Sequence, residues 1–166
     1  MKRVMVMLTT VIVCSLSAWC QVASVVSLGT EALEKNNFSA VKQMFNDEGF
    51  KIDEYAPANS STKAVGMDGR GDASIMWSIT ANPNQTIKEV SFICGLLHWH
   101  GIEQVLQEAG YTLVNNGTAT LGNGAVVPQK TFSKGNKRCY VQTLDNCMAQ
   151  VIFKKKVTKP KSKKKK

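Results

Sequence analysis

Two stretches of this 166-residue chain share one pattern, and their repetition constrains the fold more than any other feature. FSAVKQMFNDEGFKI ends at residue 52 and WHGIEQVLQEAGYTL ends at residue 113, so the offset between them is 113 minus 52, or 61. Apolar side chains match across this offset, as Phe45 does with Leu106 and Phe92 with Phe153. Self-similarity at a fixed period is the signature of repeated supersecondary units. The sequence therefore predicts two copies of one folding unit.

Each predicted unit begins with apolar residues at helical spacing, which place one stripe of the helix toward a core. Gly49 and Gly110 then suit the left-handed position that follows a helix. Apolar residues alternate directly after each glycine, which predicts a strand, and turn-rich segments separate three further strands in each unit. We expect the further strands at residues 63–67, 73–80 and 86–93 of the first unit and at 125–132, 138–143 and 148–154 of the second.

These patterns predict an α+β fold of two tandem repeats, over residues 38–94 and 95–154. Each repeat is a helix followed by a three- or four-stranded antiparallel meander, with the helices packed on the sheet. At the level of fold only, this plan resembles tandem-repeat α+β proteins such as the β-lactamase inhibitor protein and the TATA-binding protein. The resemblance implies an architecture, and no functional residue is carried over from it.

The N-terminus has the three parts of a secretory signal peptide. Lys2 and Arg3 precede an apolar run, and the run ends in a small-x-small site before Gln21. We expect residues 1–20 to be removed, residues 21–37 to lead into the first repeat, and the chain to be exported to the periplasm or extracellular space. Two alternatives stay open: an uncleaved membrane anchor, and lipidation of Cys20 at the cell envelope.

The net charge of +9 comes from the C-terminal end of the chain. Residues 155–166 lack an apolar face and contain a proline, so we predict a disordered lysine-rich tail. Two interpretations of this tail stay open. It is either a solvated terminus or a tether that binds an anionic surface, such as membrane phospholipid, polysaccharide or nucleic acid. The candidate tether lysines are Lys154, Lys155, Lys156, Lys159, Lys161, Lys163, Lys164, Lys165 and Lys166.

Cys94, His98 and His100 form the only cluster of thiol and imidazole groups along the chain. A metal site or a thiol nucleophile with a histidine base would need such groups to converge. On a helix, residues two apart are about 200° apart around the axis, so His98 and His100 would not share one ion. A packing role is the favoured interpretation, and no metal or cofactor is predicted.

Three cysteines, Cys94, Cys139 and Cys147, follow the predicted signal peptide. An odd number in an oxidising compartment favours one disulfide and one spare thiol. Cys139 with Cys147 is the first choice, because these residues flank the last hairpin. A bond between Cys94 and Cys139, or three reduced thiols, are the alternatives.

The sequence contains no phosphate loop, nucleophile elbow or metalloprotease motif. We therefore expect a small exported binding or inhibitor-type module that is not an enzyme and has no small-molecule substrate. Its expected partner is an unidentified protein or an envelope polymer, and its mature chain is expected to contain no transmembrane span. A polyanion- or nucleic-acid-binding protein is the main alternative, followed by a Cys/His-dependent enzyme.

Overall fold

A computed structural model describes residues 22–50, 62–68, 75–95, 101–144 and 148–156. These residues form an α+β fold with three helices and one seven-stranded antiparallel sheet. The first helix, α1, covers 22–35 of the described chain. The second and third helices are α2 (Phe38–Asp47) and α3 (Ile102–Glu108).

The sheet joins two meanders through their last strands. The first meander consists of β1 (Thr62–Asp68), β2 (Ile75–Ala81) and β3 (Ile87–Gly95). The second consists of β4 (Thr112–Thr120), β5 (Val126–Lys134), β6 (Lys137–Thr143) and β7 (Met148–Lys155). The strand order is β1-β2-β3-β7-β6-β5-β4, so β3 pairs with β7 at the centre of the sheet.

The strands lie where the alternating pattern predicts them, with boundaries that differ by a few residues. The structure also places Lys155 inside β7, opposite Lys137 of β6, so the last strand extends one residue into the segment expected to be a tail. The strand expected directly after Gly49 lies outside the described residues, whereas its counterpart after Gly110 is β4.

Both predicted helix-ending glycines adopt the left-handed conformation, with φ of 80° at Gly49 and 84° at Gly110. In each case the following aromatic residue closes the same cap. The backbone N–H of Phe50 donates to the carbonyl of Phe45, and that of Tyr111 donates to the carbonyl of Leu106, both at 2.9 Å. The sequence reasoning about helix ends is therefore confirmed.

The two helices begin differently. At α2 the side chain of Asn37 accepts a hydrogen bond from the backbone N–H of Ala40 at 3.1 Å, which satisfies one of the unpaired donors of the first turn. At α3 the corresponding residue is Gly101, with φ of 83° and no side-chain cap. Asn36, at φ 48°, turns the chain from α1 into α2.

The helix α1 occupies much of the segment expected to be a lead-in. Its apolar residues recur at helical spacing and are buried, so this segment contributes a full face to the core. The buried apolar side chains of α1 are those of Val22, Val25, Val26, Leu28, Ala32 and Leu33, and Gly29 is buried as well.

The core lies between the three helices and one face of the sheet. An aromatic cluster runs through it from α2 to the central strands. Phe45 contacts Trp77 with ring centroids 4.9 Å apart and Phe92 at 6.0 Å. Phe153 meets Phe92 edge-on and Tyr111 at a steep tilt, each at 6.3 Å. Such tilted and edge-to-face contacts add about 0.5–1.5 kcal/mol per pair to the burial of the rings.

Candidate functional site

The face of the sheet that points away from the helices carries mostly polar side chains, and we call it the polar face. Val90, Phe92, Val151 and Phe153 belong to the buried core on the helix side. Successive side chains of a strand point to opposite faces, so the intervening residues point the other way. The register aligns these residues in three rows that cross the strands β2, β3, β7, β6 and β5 in that order. The first row is Thr80, Glu89, Lys154, Arg138 and Ser133. The second row is Ser78, Ser91, Ile152, Tyr140 and Thr131, and the third row is Met76, Ile93, Gln150, Gln142 and Gln129.

Hydrogen bonds connect neighbouring strands across the polar face. The hydroxyls of Ser78 and Ser91 share a hydrogen bond of 2.9 Å. In the third row, Nε2 of Gln142 donates to Oε1 of Gln129 at 2.7 Å, and Nε2 of Gln129 lies 3.4 Å from Oγ1 of Thr131. These bonds fix side chains that would otherwise sample several rotamers, so the polar groups are held in place before any partner arrives.

The first row contains the charges of this face. Nζ of Lys154 forms an ion pair with Glu89 at 2.8 Å and lies 5.8 Å from the centre of the Tyr140 ring. Arg138 donates to the hydroxyl of Ser133. The row therefore holds two cations and one anion, whereas the other two rows contain no charged residue. The polar face as a whole is close to neutral.

A few larger side chains interrupt the polar rows. Met76 is 47% exposed, Ile93 and Tyr140 are half-buried, and Ile152 is buried. Three polar members of the rows are buried as well: Ser91, Thr131 and Gln142. Interaction surfaces commonly combine Met and Tyr side chains with well-placed hydrogen-bonding groups. The residues of the polar face that another macromolecule could reach are therefore Met76 and the half-buried ones, Tyr140 and Gln150 among them.

A pocket of about 570 Å³ lies on the other side of the sheet, between α1 and α3. We call it the helix cleft. Its lining combines apolar side chains with carboxylates, hydroxyls and one lysine, and consists of Ala23, Val26, Ser27, Thr30, Glu31, Glu34, Val105, Glu108, Ala109 and Lys134. The hydroxyl of Tyr111 bonds to Oγ1 of Thr30 at 3.0 Å.

The polar groups of the helix cleft are engaged in structural contacts. Nζ of Lys134 donates to the carbonyl of Ala109 at 2.8 Å and lies 5.9 Å from the centre of the Tyr111 ring. Burial raises the pKa of Tyr111 to about 12, despite the opposing hydrogen bond with Thr30. A phenol with so high a pKa stays protonated near neutral pH, so it is poorly suited to act as a base.

The carboxylates at the cleft rim are also paired. Glu34 forms an ion pair with Lys137, whose hydrogen bond and charge lower the pKa of that carboxyl. Glu108 accepts a hydrogen bond from Gln104 at 3.0 Å, and Glu31 pairs with Lys35 at 3.3 Å. The ion pair of Glu34 with Lys137 connects α1 to β6. The contacts of Glu108 and Glu31 lie within single helices and stabilise their exposed sides.

The residues that the sequence singled out do not form a described site. Cys94 is buried in the core, where burial raises the pKa of its thiol more than a backbone hydrogen bond from Gly95 lowers it. His98 and His100 lie outside the described residues. Within the described ranges, no group of three or more potential ligand residues could hold a metal ion.

The register also bears on the disulfide prediction. Cys139 is a free, fully buried thiol opposite Phe153, five residues along β7 from Met148. At about 3.4 Å per residue, this separates Cys139 from Met148 by roughly 17 Å, whereas a disulfide joins Cα atoms about 4.4–6.8 Å apart. This geometry argues against a bond from Cys139 to Cys147, the residue before Met148. Cys147 itself lies outside the described residues, so the pairing stays a prediction.

The alternative bond between Cys94 and Cys139 does not form. Both thiols are free, and β7 lies between their two strands. Two strand spacings amount to about 9.6 Å, which exceeds the reach of a disulfide. Both cysteines therefore act as small core residues.

The candidate tether lysines divide between the sheet and the tail. Lys154 and Lys155 belong to β7, and Lys154 is already paired with Glu89. Lys156 follows β7, and its backbone N–H donates to the carbonyl of Asn136 at 2.7 Å. Lys159, Lys161, Lys163, Lys164, Lys165 and Lys166 lie outside the described residues.

No protein-family model, curated protein or solved structure matches the chain. Among the helices that the structure describes, none combines the length and the apolar character needed to cross a membrane.

The sequence reasoning missed the polar face as a candidate site. The sequence signal for this face is the polar residue that lies between two apolar residues of a strand. Examples are Ser91, between Val90 and Phe92, and Gln150, between Ala149 and Val151. Alternation shows that such residues share a face, but only the strand order shows which of them lie side by side. That order depends on long-range pairing of β3 with β7, which no local pattern encodes.

Proposed function

We propose that this chain is a small exported binding or inhibitor-type module that recognises another protein through its polar face. The observation that carries the proposal is the set of three cross-strand rows, which spans five strands on the side opposite the helices. A rigid sheet with prepositioned hydrogen-bonding groups loses little side-chain entropy when it binds.

The charge of the polar face favours a protein partner over a polyanion. A surface that binds nucleic acid or another polyanion is expected to carry a marked excess of Lys and Arg. Here Glu89 offsets Lys154, and two of the three rows have no charge. Tyr140, Met76 and Ile93 supply the apolar contact that protein interfaces use.

We also propose that the two halves are copies of one unit, over residues 38–94 and 95–154. The matching caps after α2 and α3 support this, since glycine and the following aromatic residue repeat at the same offset. The antiparallel pairing of β3 with β7 supports it as well. Two equivalent strands that pair antiparallel are related by a local two-fold axis, which makes a duplicated unit complementary to itself.

We further propose that the chain is exported and that its lysine-rich tail tethers it to an anionic surface. The pattern of residues 1–20 suits a signal peptide, and removal near Gln21 would leave α1 as the start of the mature chain. The remaining lysine-rich tail would hold the module at an anionic surface and so raise its local concentration near an envelope partner.

Polyanion binding is the second candidate, and one observation favours it. Lys134, Lys137 and Lys155 lie side by side in one row of the helix-side face, next to the point where the tail begins. Like charges directly opposite each other destabilise a sheet, so repulsion among these lysines lowers the stability of the sheet at this row. A bound anion would offset it, although Glu34 and the Ala109 carbonyl already engage two of the three lysines.

The proposed function is tested by quantitative capture from salt-washed envelope extract. The native chain is compared with a polar-face variant, Tyr140→Ala with Gln150→Ala, and with a control that removes two exposed helix residues, Gln43→Ala with Gln107→Ala. We expect the control to retain its captured protein and the polar-face variant to capture at least about tenfold less. A tenfold loss corresponds to about 1.4 kcal/mol, and a few central residues, Tyr often among them, contribute most of the energy of an interface.

A chain that ends at Lys156 separates the two candidates. The protein-binding proposal predicts that this shortened chain still captures the partner in solution and does not bind heparin at physiological salt. Equal capture by the polar-face and control variants would refute the role of the polar face. Retained heparin binding by the shortened chain would make polyanion recognition the better account.

A further inference from the structure

The outer edge of β4 is free in the described part of the chain. Thr112–Thr120 is the last strand of the sheet order, and on its outer side no described strand pairs with it. Every residue of β4 except Ala119 is exposed. Its outward backbone N–H and C=O groups therefore form a template that a further strand could extend.

Natural sheets commonly protect such an edge with lysine, proline or a short strand. β4 has nine residues, TLVNNGTAT, with no charge and no proline. A bulge between Leu113 and Asn115 interrupts the ladder near its start, which leaves Asn115–Thr120 as a regular segment. By contrast, β1 at the opposite end of the order contains Lys63 and Asp68.

The exposed apolar residues lie at the two ends of this edge. Leu113 and Val114 are 45% and 52% exposed at the start of β4. Val126 is 65% exposed and pairs with Thr120 at the other end. Leu113 pairs with the core residue Phe132, and Val126 has the same parity along β5 as Phe132, so Leu113 and Val126 belong to the same face of the sheet.

A second copy of β4 fits this arrangement. Antiparallel pairing centred on Gly117 places Asn115 opposite Ala119 and Asn116 opposite Thr118, so no like charges meet. It also places Val114 of each copy opposite Thr120 of the other, and Leu113 opposite Leu121, the residue that follows β4. Leu113 and Leu121 thus become apolar neighbours at each end of the junction, across the two-fold axis, while Val126 lies one strand further from it.

We propose that β4 is a self-association edge through which two copies of the chain form one continuous sheet, which joins the seven described strands of each copy. Pairing through β4 uses the free edge of both copies, so it closes at a dimer. The dimer carries two polar faces and two tails, and simultaneous engagement of both would strengthen attachment to a surface.

The test compares two substitutions that add the same charge to the same hairpin. Gly117→Lys places a lysine at the centre of the edge, where the structure has space, since a Cβ there would meet only Nδ2 of Asn115 at 3.4 Å. Gly122→Lys is the matched control, because it lies in the β4–β5 turn and a Cβ there meets nothing within 4 Å. Sedimentation equilibrium of the full chain gives the molar mass.

We expect the native chain and Gly122→Lys to have twice the mass of one 18.2 kDa chain, and Gly117→Lys to have the mass of one. Hydrogen exchange should show protection of amides within Asn115–Thr120 that is lost with Gly117→Lys or on dilution. Thermal unfolding checks that Gly117→Lys remains folded. A native chain that stays monomeric up to its solubility limit, a dimer that survives Gly117→Lys, or open-ended polymers would each overturn the proposal.

Discussion

Gly29 of α1 lies directly against the ring of Phe153 in β7, so that a Cβ at residue 29 would overlap the ring atoms. Phe153 is fully buried and belongs to the strand that pairs with β3 at the centre of the sheet. Glycine inside a helix costs about 1 kcal/mol relative to alanine. The close contact between α1 and the central strand explains why glycine is suitable there.

Gly29→Ala is therefore expected to lower the free energy of unfolding, by up to about 2 kcal/mol. Overpacking a core costs about 1–3 kcal/mol, which exceeds the gain in helix propensity of about 1 kcal/mol. Urea denaturation measures the change, with Gly122→Ala as a control at a position without neighbours. A Gly29→Ala variant as stable as the native chain would contradict the packing of α1 on β7.

Tyr111→Phe should change how stability depends on pH. The folded state raises the pKa of Tyr111 to about 12 from 10.0, mainly by burial. The unfolded chain therefore loses this proton first, and the free energy of unfolding falls as the pH rises from about 10 through about 12. In Tyr111→Phe, which has no phenol at this position, this decrease in the free energy of unfolding is absent.

At neutral pH the same variant loses only the hydrogen bond with Thr30, which costs about 1 kcal/mol. Denaturation series from pH 7 to strongly alkaline pH measure both effects. Parallel pH profiles for the native chain and Tyr111→Phe would show that this tyrosine is not buried as described.

The thiols of Cys94 and Cys139 should react with an alkylating reagent only after the chain unfolds. Both are buried, and burial raises the pKa of each, that of Cys139 well above 9.0. The reactive thiolate is therefore disfavoured in the folded state. Mass spectrometry of peptides after alkylation, with and without denaturant, measures the protection. Rapid labelling of Cys139 in the folded chain, or a bridge from it to Cys147, would contradict the core position.

Glu34→Gln should weaken the attachment of α1 to β6 above acidic pH. Lys137 lowers the pKa of Glu34 from 4.5, so the ion pair adds stability above that value and loses it as the pH falls below it. The expected loss at pH 7 is below about 1 kcal/mol, because the pair is partly exposed.

Glu31→Gln is the matched control for this ion pair, since Glu31 pairs with Lys35 of its own helix and not with the sheet. Denaturation at pH 7 and at acidic pH separates the two variants. We expect a smaller difference between the two pH values in Glu34→Gln than in Glu31→Gln, and the reverse order would argue against the contact with β6.

The elements set by local chemistry could be predicted from the sequence. Helix ends at Gly49 and Gly110 follow from the need for a left-handed residue, and the strands follow from alternation. The helix α1 is harder to predict from the sequence. Gly29 lowers the helix propensity of the segment, and the segment directly follows the apolar run of a predicted signal peptide. Its glycine reflects contact with Phe153, which is 124 residues away in the chain and has no local signature.

The candidate site could be predicted only in part. Alternation identifies Ser91 and Gln150 as residues of the face opposite the core, but it does not order the strands. The row that joins Ser78, Ser91 and Tyr140 exists only because β3 pairs with β7, which is a contact between distant segments. Conversely, the cysteine and histidine cluster near residue 98 was prominent in the sequence, yet Cys94 packs in the core.

Site-specific photo-crosslinking can show whether the polar face contacts a protein partner. A photoreactive phenylalanine replaces Gln150 at the centre of the polar face or, as the control, Gln107 on the exposed side of α3. Each chain is irradiated in envelope extract, and its adducts are identified by mass spectrometry. We expect a discrete protein adduct from position 150 and none from position 107. Adducts from position 107 alone would contradict this expectation.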